Sequence, residues 1–316
     1  MASRGTLAYS VVVPIYNSAP QVTRLYGRLV AVMESLGPPF ELILVDDCST
    51  DASWAALAGI ALADRRVIAV QLARNAGQAR ATLHGIGRST GEIIVTLDDD
   101  LQHAPDDIPR LLAALDGPAG YDVVFGVPAS RHHAAWRRLA SRAVNLALCL
   151  VLRKPLNLRF TAFRAIRRRT ALQLLGLRCA EPFLSVLLFR ITPRIAVVRV
   201  QHFSSTIGPS RYSLARLARV TFGCLASLSD GDRRSLVIAA WAVGLGLLAL
   251  ALGAFSFGRP GLATGIVMVL GATFGIASLA VGSAAVAVGW RGRAVLRSPV
   301  AEVAVLRVIS DGREAA

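Results

Sequence analysis

Strand-like and helix-like segments alternate over the first hundred residues of this chain. Four short and largely apolar segments are predicted as strands: 7–14, 41–45, 67–72 and 92–97. Apolar residues at helical spacing predict helices between them: 20–36, 53–63 and 78–89. Because alternating strands and helices build a sheet with helices on both faces, the pattern predicts an α/β fold of the doubly wound, Rossmann-like type.

Polar residues follow three of the predicted strands at the point where each strand ends. Tyr16 and Asn17 come after the first strand, which ends at Pro14; Asp46 and Asp47 follow the second strand, and Asp98, Asp99 and Asp100 follow the fourth. Ligands of open α/β sheets bind at the carboxyl ends of the strands. We therefore expect these three clusters, which are distant in sequence, to converge on one site.

Two long segments near the C-terminus carry no charged side chain: 235–257 and 260–290. Each exceeds the roughly 20 apolar residues that cross a bilayer, so transmembrane helices are predicted at about 235–257 and 262–290. Arginines precede the first segment and follow the second, with Arg259 between them. The positive-inside rule therefore places both outer ends in the cytoplasm and the short turn outside.

The predicted organisation is an α/β domain over 1–212, a juxtamembrane helix over 213–232, two transmembrane helices within 233–292 and a tail over 293–316. Residues 213–228 combine a leucine-rich face with neighbouring arginines, which is typical of an interfacial amphipathic helix; a core-facing helix of the α/β domain remains the alternative. No apolar segment resembling a signal peptide precedes the first strand. We expect a multi-pass protein of the inner (cytoplasmic) membrane, with the α/β domain and both termini in the cytoplasm.

Charge and cysteine content narrow the function classes. The formal net charge is +15, which suits an anionic membrane surface or phosphorylated substrates. The basic residues are spread along the chain rather than gathered in a recognisable module, so nucleic-acid binding is not expected. The four cysteines are far apart and form no C-x-x-C pair, which predicts reduced thiols rather than a zinc site or a disulfide framework.

The acidic triad Asp98–Asp100 is the strongest chemical signal. Carboxylates packed this closely repel one another unless a cation neutralises them. Mg²⁺ and Mn²⁺ prefer oxygen ligands and keep coordination sites for substrate phosphates, so an Asp-x-Asp at a strand end can hold a metal that clamps a diphosphate. A solvated acidic turn is the alternative that the triad alone leaves open.

Four segments together resemble the family 2 glycosyltransferases of GT-A fold. They are Ser10–Asn17 (Ser-Val-Val-Val-Pro-Ile-Tyr-Asn), Leu44–Asp51 (Leu-Val-Asp-Asp-Cys-Ser-Thr-Asp), Asn75–Gln78 (Asn-Ala-Gly-Gln) and Leu97–Gln102 (Leu-Asp-Asp-Asp-Leu-Gln). The last segment resembles the polyprenyl-phosphate branch in particular, whose bacterial members end in two transmembrane helices. The resemblance implies a mixed sheet flanked by helices, a nucleotide-sugar donor, a polyprenyl-phosphate acceptor, a Mg²⁺ or Mn²⁺ cofactor and a homo-tetramer.

The resemblance also implies roles for individual residues. The donor nucleotide would be bound by Pro14, Tyr16, Asn17, Asp46, Asp47, Gly77 and Asp99, and the metal by Asp98, Asp100 and Gln102. Asp98, Asp100 and Arg131 would be catalytic, and the acceptor phosphate would meet Arg131, Arg137, Arg164, Ser210 and Arg211. Asp99 stands where many relatives have Ala, Ser205 where Arg is frequent, and Ala162 where a polar residue is frequent.

The implied reaction is a single in-line displacement at the anomeric carbon, with inversion. A phosphate acceptor is already anionic near neutral pH, so it needs no general base, unlike a hydroxyl. The five histidines are therefore interpreted as solvated or structural. Three alternatives remain: a polysaccharide synthase, although its Gln-x-x-Arg-Trp motif is missing, a transferase acting on another lipid, and a catalytically impaired nucleotide-binding relative.

Overall fold

A computed structural model of the chain describes residues 7–128, 161–177, 182–201, 305–310 and 313–315. Within them lie nine strands: β1 (Tyr9–Ile15), β2 (Phe40–Asp46), β3 (Val67–Leu72), β4 (Ile93–Thr96), β5 (Val123–Pro128), β6 (Arg164–Arg167), β7 (Ile195–Val200), β8 (Val305–Ser310) and β9 (Arg313–Ala315). The helices are α1 (Ala19–Leu36), α2 (Ser53–Ala63), α3 (Gln78–Arg88), α4 (Ile108–Leu115), α5 (Arg168–Gly176) and α6 (Leu184–Ile191). A short 3₁₀ helix, Pro105–Asp107, precedes α4.

The described strands form one mixed sheet in the order β7-β5-β6-β4-β1-β2-β3-β8-β9. Its centre is parallel, because β1 pairs in parallel with both β2 and β4, and β2 pairs in parallel with β3. β6 enters antiparallel between β4 and β5. The predicted α/β class, the seven predicted helices and strands up to β4, and the mixed sheet flanked by helices are confirmed.

Side chains of the central strands alternate between two cores. Val11 and Val13 of β1 face the core formed with α1, α2 and α4, whereas Val12 faces the core formed with α3, α5 and α6. Every residue of β2 is buried, as expected of a parallel strand covered on both faces. The central strands therefore hold few polar side chains, such as the hydrogen-bonded pair Ser10 and Glu41, and most polar residues of this region lie where the strands end.

The C-terminal segment returns to the α/β sheet. β8 pairs antiparallel with the edge strand β3, and β9 pairs with β8. The sheet thus extends past the predicted domain boundary at residue 212 into the segment predicted to be a tail. β2 pairs with one edge of β3. The backbone N–H and C=O groups of the other edge would be unpaired without β8, which bonds them.

Helix α3 approaches the sheet closely at a glycine. A Cβ atom on Gly85 would lie 2.3 Å from Val12 Cγ1 and 3.1 Å from Val45 Cγ2. Gly87, one position from the end of the same helix, has no neighbouring atom within 4 Å of such a Cβ and is exposed. The absence of a side chain at Gly85 therefore sets the distance between α3 and the sheet.

We predict that Gly85→Ala destabilises the fold and Gly87→Ala does not. Overpacking of a closed interface costs about 1–3 kcal/mol, whereas alanine replaces glycine at an open helix position at no steric cost and favours the helix. Thermal unfolding of the purified protein checks both variants. An equal loss of stability in the two would mean that helix α3 is not held against Val12 as described.

Candidate functional site

The structure brings the three predicted polar clusters together. β1 lies between β2 and β4, so the segments that follow these strands are neighbours at one edge of the sheet. The Asn17 amide donates to Ser49 Oγ at 3.0 Å, and the Tyr16 amide donates to Asp99 Oδ2 at 3.2 Å. The segment after β1 is thus bonded to both of the other clusters.

Asn17 joins the segments after β1 and β2. Its backbone has a left-handed φ of 52°, a conformation that asparagine adopts more readily than most residues. Its side-chain carbonyl accepts hydrogen bonds from the Thr50 amide at 2.9 Å and from Thr50 Oγ1 at 3.3 Å. Pro14, the last-but-one residue of β1, is buried, while the Tyr16 ring beside it is 49% exposed.

Asp47 fixes the start of helix α3. Its two carboxylate oxygens accept hydrogen bonds from the Ala76 amide at 2.7 Å and the Gly77 amide at 2.8 Å. Gly77 has a φ of 86°, which strongly favours glycine, and it directly precedes the first helical residue, Gln78. Burial raises the pKa of Asp47, and the two amide donors counteract that rise. A carboxylate here also complements the positive end of the helix dipole.

Asp46 is completely buried, and its neighbours are polar. It accepts hydrogen bonds from the Ser49 amide at 3.3 Å and from Gln71 Nε2 at 3.1 Å. Gln71 was missed by the sequence interpretation, although it is the only polar residue within the apolar strand β3. That interruption of an otherwise apolar strand was the available signal.

Asp99 turns toward the segment after β1. Its Oδ2 atom accepts from Ser18 Oγ at 2.5 Å as well as from the Tyr16 amide. Burial raises the pKa of Asp99, and the hydrogen bond from Ser18 lowers it in part. The carboxylate of Asp99 therefore connects the acidic triad to the segment that carries Tyr16 and Asn17.

Asp98 is the most perturbed carboxyl group of the triad. Burial, followed by the charges of Asp100 and Asp99, raises its pKa to about 7. Gln78 Nε2 donates to Asp98 Oδ1. Asp100 accepts a hydrogen bond from the Gln102 amide at 3.0 Å across Leu101, which has a left-handed φ of 56°.

Arg164 lies behind the triad rather than on the described surface. It is only 6% exposed, and its Nε atom donates to Thr96 Oγ1 at 3.1 Å and to the Ala162 carbonyl at 3.2 Å. Burial lowers its pKa to about 10, against the opposing effect of Asp98. Predicted as an acceptor-phosphate ligand, Arg164 thus supplies a buried positive charge to Asp98 in the described structure.

The oxygen-rich triad suits a hard divalent cation. Three carboxyl groups meet only a partial counter-charge from Arg164, as the raised pKa of Asp98 shows. Carboxylate and amide oxygens are the ligands that Mg²⁺ and Mn²⁺ prefer, and Asp98, Asp100 and Gln102 supply them. Within the described ranges, however, no group of three or more His, Cys, Asp or Glu side chains is already arranged as a metal site.

The two described histidines lie in packed surroundings. His84 is buried in α3, and burial followed by the charge of Arg88 lowers its pKa. His103 contacts the Phe163 ring at a centroid distance of 5.4 Å and lies 3.4 Å from Thr161 Oγ1. Both fit the structural interpretation made from the sequence.

The predicted acceptor side lies largely outside the described residues. This holds for Arg131, Arg137, Ser210 and Arg211, for the juxtamembrane helix and for both predicted transmembrane helices. Among the helices that the structure does describe, none has the length and hydropathy of a membrane span.

Several solved structures with a similar fold are enzymes in complex with a nucleotide sugar. A mannosyltransferase from Pyrobaculum calidifontis in complex with GDP-mannose and Mn²⁺ aligns with a TM-score of 0.51 and 18% identity, over 94% of this chain and 78% of that one. Glucosyl-3-phosphoglycerate synthase from Mycobacterium tuberculosis, with Mn²⁺, UDP-glucose and phosphoglyceric acid, aligns with a TM-score of 0.51 and 21% identity, over 70% of this chain and 79% of that one. These likenesses establish the GT-A fold.

Sequence relatives are more similar. Over 228 residues the chain is 37% identical to undecaprenyl-phosphate 4-deoxy-4-formamido-L-arabinose transferase of Pseudomonas paraeruginosa, covering 72% of this chain and 67% of that protein. Identity to the transferase of the same name from Klebsiella pneumoniae is 34% over 271 residues, or 84% and 82% of the two chains. Residues 10–176 match the profile described as Glycosyl transferase family 2, and the chain therefore belongs to glycosyl transferase family 2.

Proposed function

We propose that this protein transfers a single sugar from a nucleoside-diphosphate donor to the phosphate of a polyprenyl lipid at the cytoplasmic face of the inner membrane. The observation that carries the proposal is the convergence of Asn17, Asp47 and the acidic triad at the carboxyl ends of β1, β2 and β4. In α/β sheets this is where nucleotides bind.

The donor side rests on the described geometry. The segment after β1 is tied to the triad through Asp99, and Asp47 holds the start of α3 next to it. The exposed Tyr16 ring and the Asn17 backbone face the same end of the sheet and would border the nucleotide. Asp46 lies behind them, where it acts through Gln71 and Ser49.

The diphosphate side rests on charge. Asp98, Asp100 and Gln102 would hold a Mg²⁺ or Mn²⁺ ion. When bound, the ion would neutralise the negative charge of the leaving nucleoside diphosphate. Arg164 sets the charge behind Asp98 and limits the repulsion within the triad. The Gln78 amide holds Asp98 in place from the first turn of α3.

The acceptor follows from the relatives' names and from the chemistry. Both relatives are named as undecaprenyl-phosphate transferases. A phosphate oxygen attacks without a general base, and the described histidines make structural contacts. Arg131, Arg137, Ser210 and Arg211 would orient the lipid phosphate, and a homo-tetramer, implied by the family resemblance, is part of the same proposal.

Strand β8 supports the proposed topology. Because β8 pairs with β3 of the catalytic sheet, residues 201 and 305 lie on the same side of any membrane that the intervening chain crosses. An even number of crossings satisfies that requirement, and two are proposed, at about 235–257 and 262–290. The catalytic domain and the C-terminal segment then share the cytoplasm.

The primary test is transfer of a labelled sugar to polyprenyl phosphate. Detergent-solubilised protein is incubated with a panel of UDP- and GDP-sugars, including the nucleotide-linked form of 4-deoxy-4-formamido-L-arabinose, with Mg²⁺ or Mn²⁺ and with EDTA. With Mg²⁺ or Mn²⁺ present, label should enter the organic phase. With EDTA, no label should be transferred. Asp100→Asn should reduce the rate at least about 100-fold, since loss of metal-based charge stabilisation is worth several kcal/mol.

Asp106→Asn is the matched control for this assay. Asp106 is a nearby carboxylate on the surface, 63% exposed and paired with Arg28, so its loss should leave transfer unchanged. Retained nucleotide binding without transfer from any donor would contradict the lipid-phosphate acceptor. It would favour another acceptor or a catalytically impaired relative.

A second prediction concerns the contact between Asp99 and Ser18. Asp99→Ala removes the acceptor for both Ser18 Oγ and the Tyr16 amide, and should weaken UDP or GDP binding by about 10-fold, the scale of a lost hydrogen bond to a charged group. Calorimetry at saturating Mn²⁺ measures this. Ser18→Ala should have a smaller effect, and the double variant should resemble Asp99→Ala alone, because the residues act together. Additive losses would exclude that coupling.

A third prediction concerns topology. Alkaline phosphatase, which is active only outside the cytoplasm, should be active when fused after Gly258 and inactive when fused after Ala316. A fluorescent protein that matures only in the cytoplasm should give the reverse pattern. Phosphatase activity at the Ala316 fusion would mean an odd number of crossings, which is incompatible with the pairing of β8 and β3.

A further inference from the structure

Polar side chains of three neighbouring strands form a row at the end of the sheet where the nucleotide-sugar donor is proposed to bind. Asp46 of β2 is in register with Gln71 of β3, and Gln71 is in register with Arg307 of β8. Residues directly opposite one another on paired strands project to the same face of a sheet. The hydrogen bond from Gln71 Nε2 to Asp46 Oδ2, 3.1 Å long, shows that the first two do so.

The direction of this row follows from the core. Two residues away from the row, Leu44, Ala69 and Ile309 pack together in the core that includes α2. With a side-chain period of two, Asp46, Gln71 and Arg307 project on that same face, beyond the packed core. Asp46 is the last residue of β2 and Gln71 the last but one of β3, so the row lies at the carboxyl ends of the strands.

The chemistry of Asp46 fixes how Gln71 is oriented. The NH₂ group of Gln71 donates to Asp46 Oδ2, so the carbonyl oxygen Oε1, the other end of the same planar amide, faces away from Asp46. Asp46 is 0% exposed, and its carboxylate is enclosed by Ser49 and Gln71. Gln71 is only partly buried. Of the two, Gln71 is therefore the side chain that a ligand can reach.

Arg307 adds the opposite hydrogen-bonding character. Its guanidinium only donates, and the residue is exposed beside Gln71. Gln71 Oε1 would accept a hydrogen bond from a ring N–H, and the Arg307 guanidinium would donate one to the carbonyl group beside it. Uracil and guanine present this ring N–H next to a carbonyl group. Cytosine and adenine present a ring-nitrogen acceptor next to an amino group, which is the reverse pattern.

We propose that Gln71 and Arg307 read the nucleobase of the donor and select uracil or guanine over cytosine and adenine, with Asp46 as the positioning residue for Gln71. This inference rests on the proposed function, since it assumes a nucleoside-diphosphate donor. It makes strand β8, which follows the predicted membrane segments in sequence, a part of the donor site.

The test measures binding of UDP, GDP, CDP, ADP and inorganic pyrophosphate to the full-length protein in detergent with Mn²⁺. The wild-type protein should bind UDP or GDP at least about 10-fold more tightly than CDP and ADP, because a mismatched base would leave hydrogen-bonding groups of Gln71 and Arg307 unpaired. Gln71→Leu and Arg307→Gln should each reduce that preference by about 5-fold or more. Pyrophosphate, which has no base, should bind all variants equally.

Two further variants separate base reading from a structural role. Asp46→Asn should also reduce the preference without changing pyrophosphate binding, because an amide at position 46 can bond either end of the Gln71 side chain. Arg313→Gln is the matched control: Arg313 is an exposed arginine in β9 of the same hairpin, paired with Ser310, and its loss should leave all affinities unchanged. Melting temperatures confirm that each variant is folded.

Each failure has a separate meaning. If the wild-type protein binds UDP or GDP but Gln71→Leu and Arg307→Gln keep its preference, the base is read elsewhere and this inference is wrong, while the proposed function stands. The same conclusion follows if both variants weaken pyrophosphate and nucleotides equally. If the wild-type protein binds pyrophosphate but no nucleotide, both the inference and the proposed function fail.

Discussion

The parallel pairing of β1 with β2 and β4 is the constraint on which the rest of the structure depends. These strands are buried on both faces, so the interior of the sheet tolerates few polar groups. Parallel pairing aligns their carboxyl ends, and polar side chains that are 81 residues apart, such as Ser18 and Asp99, come into hydrogen-bond contact. The site is thus a consequence of strand direction and burial.

Within this site, charge is balanced only in part. Asp47 is satisfied by two backbone amides of the α3 start, and Asp99 by Ser18 and Tyr16, whereas Asp98 keeps a pKa raised to about 7 despite Arg164 and Gln78. Asp47 and Asp99, which hold neighbouring segments in place, thus have hydrogen-bond donors within the protein. The remaining deficit of positive charge at Asp98 and Asp100 is what suits a divalent cation and a diphosphate.

The tertiary structure changes how several predicted residues are understood. Asp99 and Arg164 were predicted to meet ligands, which stays a prediction; the structure adds that Asp99 connects the triad to the β1–α1 segment and that Arg164 lies behind Asp98. Gln71 and Arg307 did not stand out in the sequence, because a single polar residue in a strand and one arginine among many carry little signal. Their register across β3 and β8 gives them a shared location.

The sequence by itself determined the alternation of strands and helices up to β4, the polar clusters at the strand ends and the family segments, since periodicity and strand termination are local properties of the chain. Only the tertiary structure decided which way Asp99 points, what surrounds Arg164 and that residues 305–310 join the sheet. These outcomes depend on contacts between distant segments, such as the 68 residues that separate Arg164 from Thr96. Strand register and the packing of distant segments, which no local pattern encodes, select those contacts.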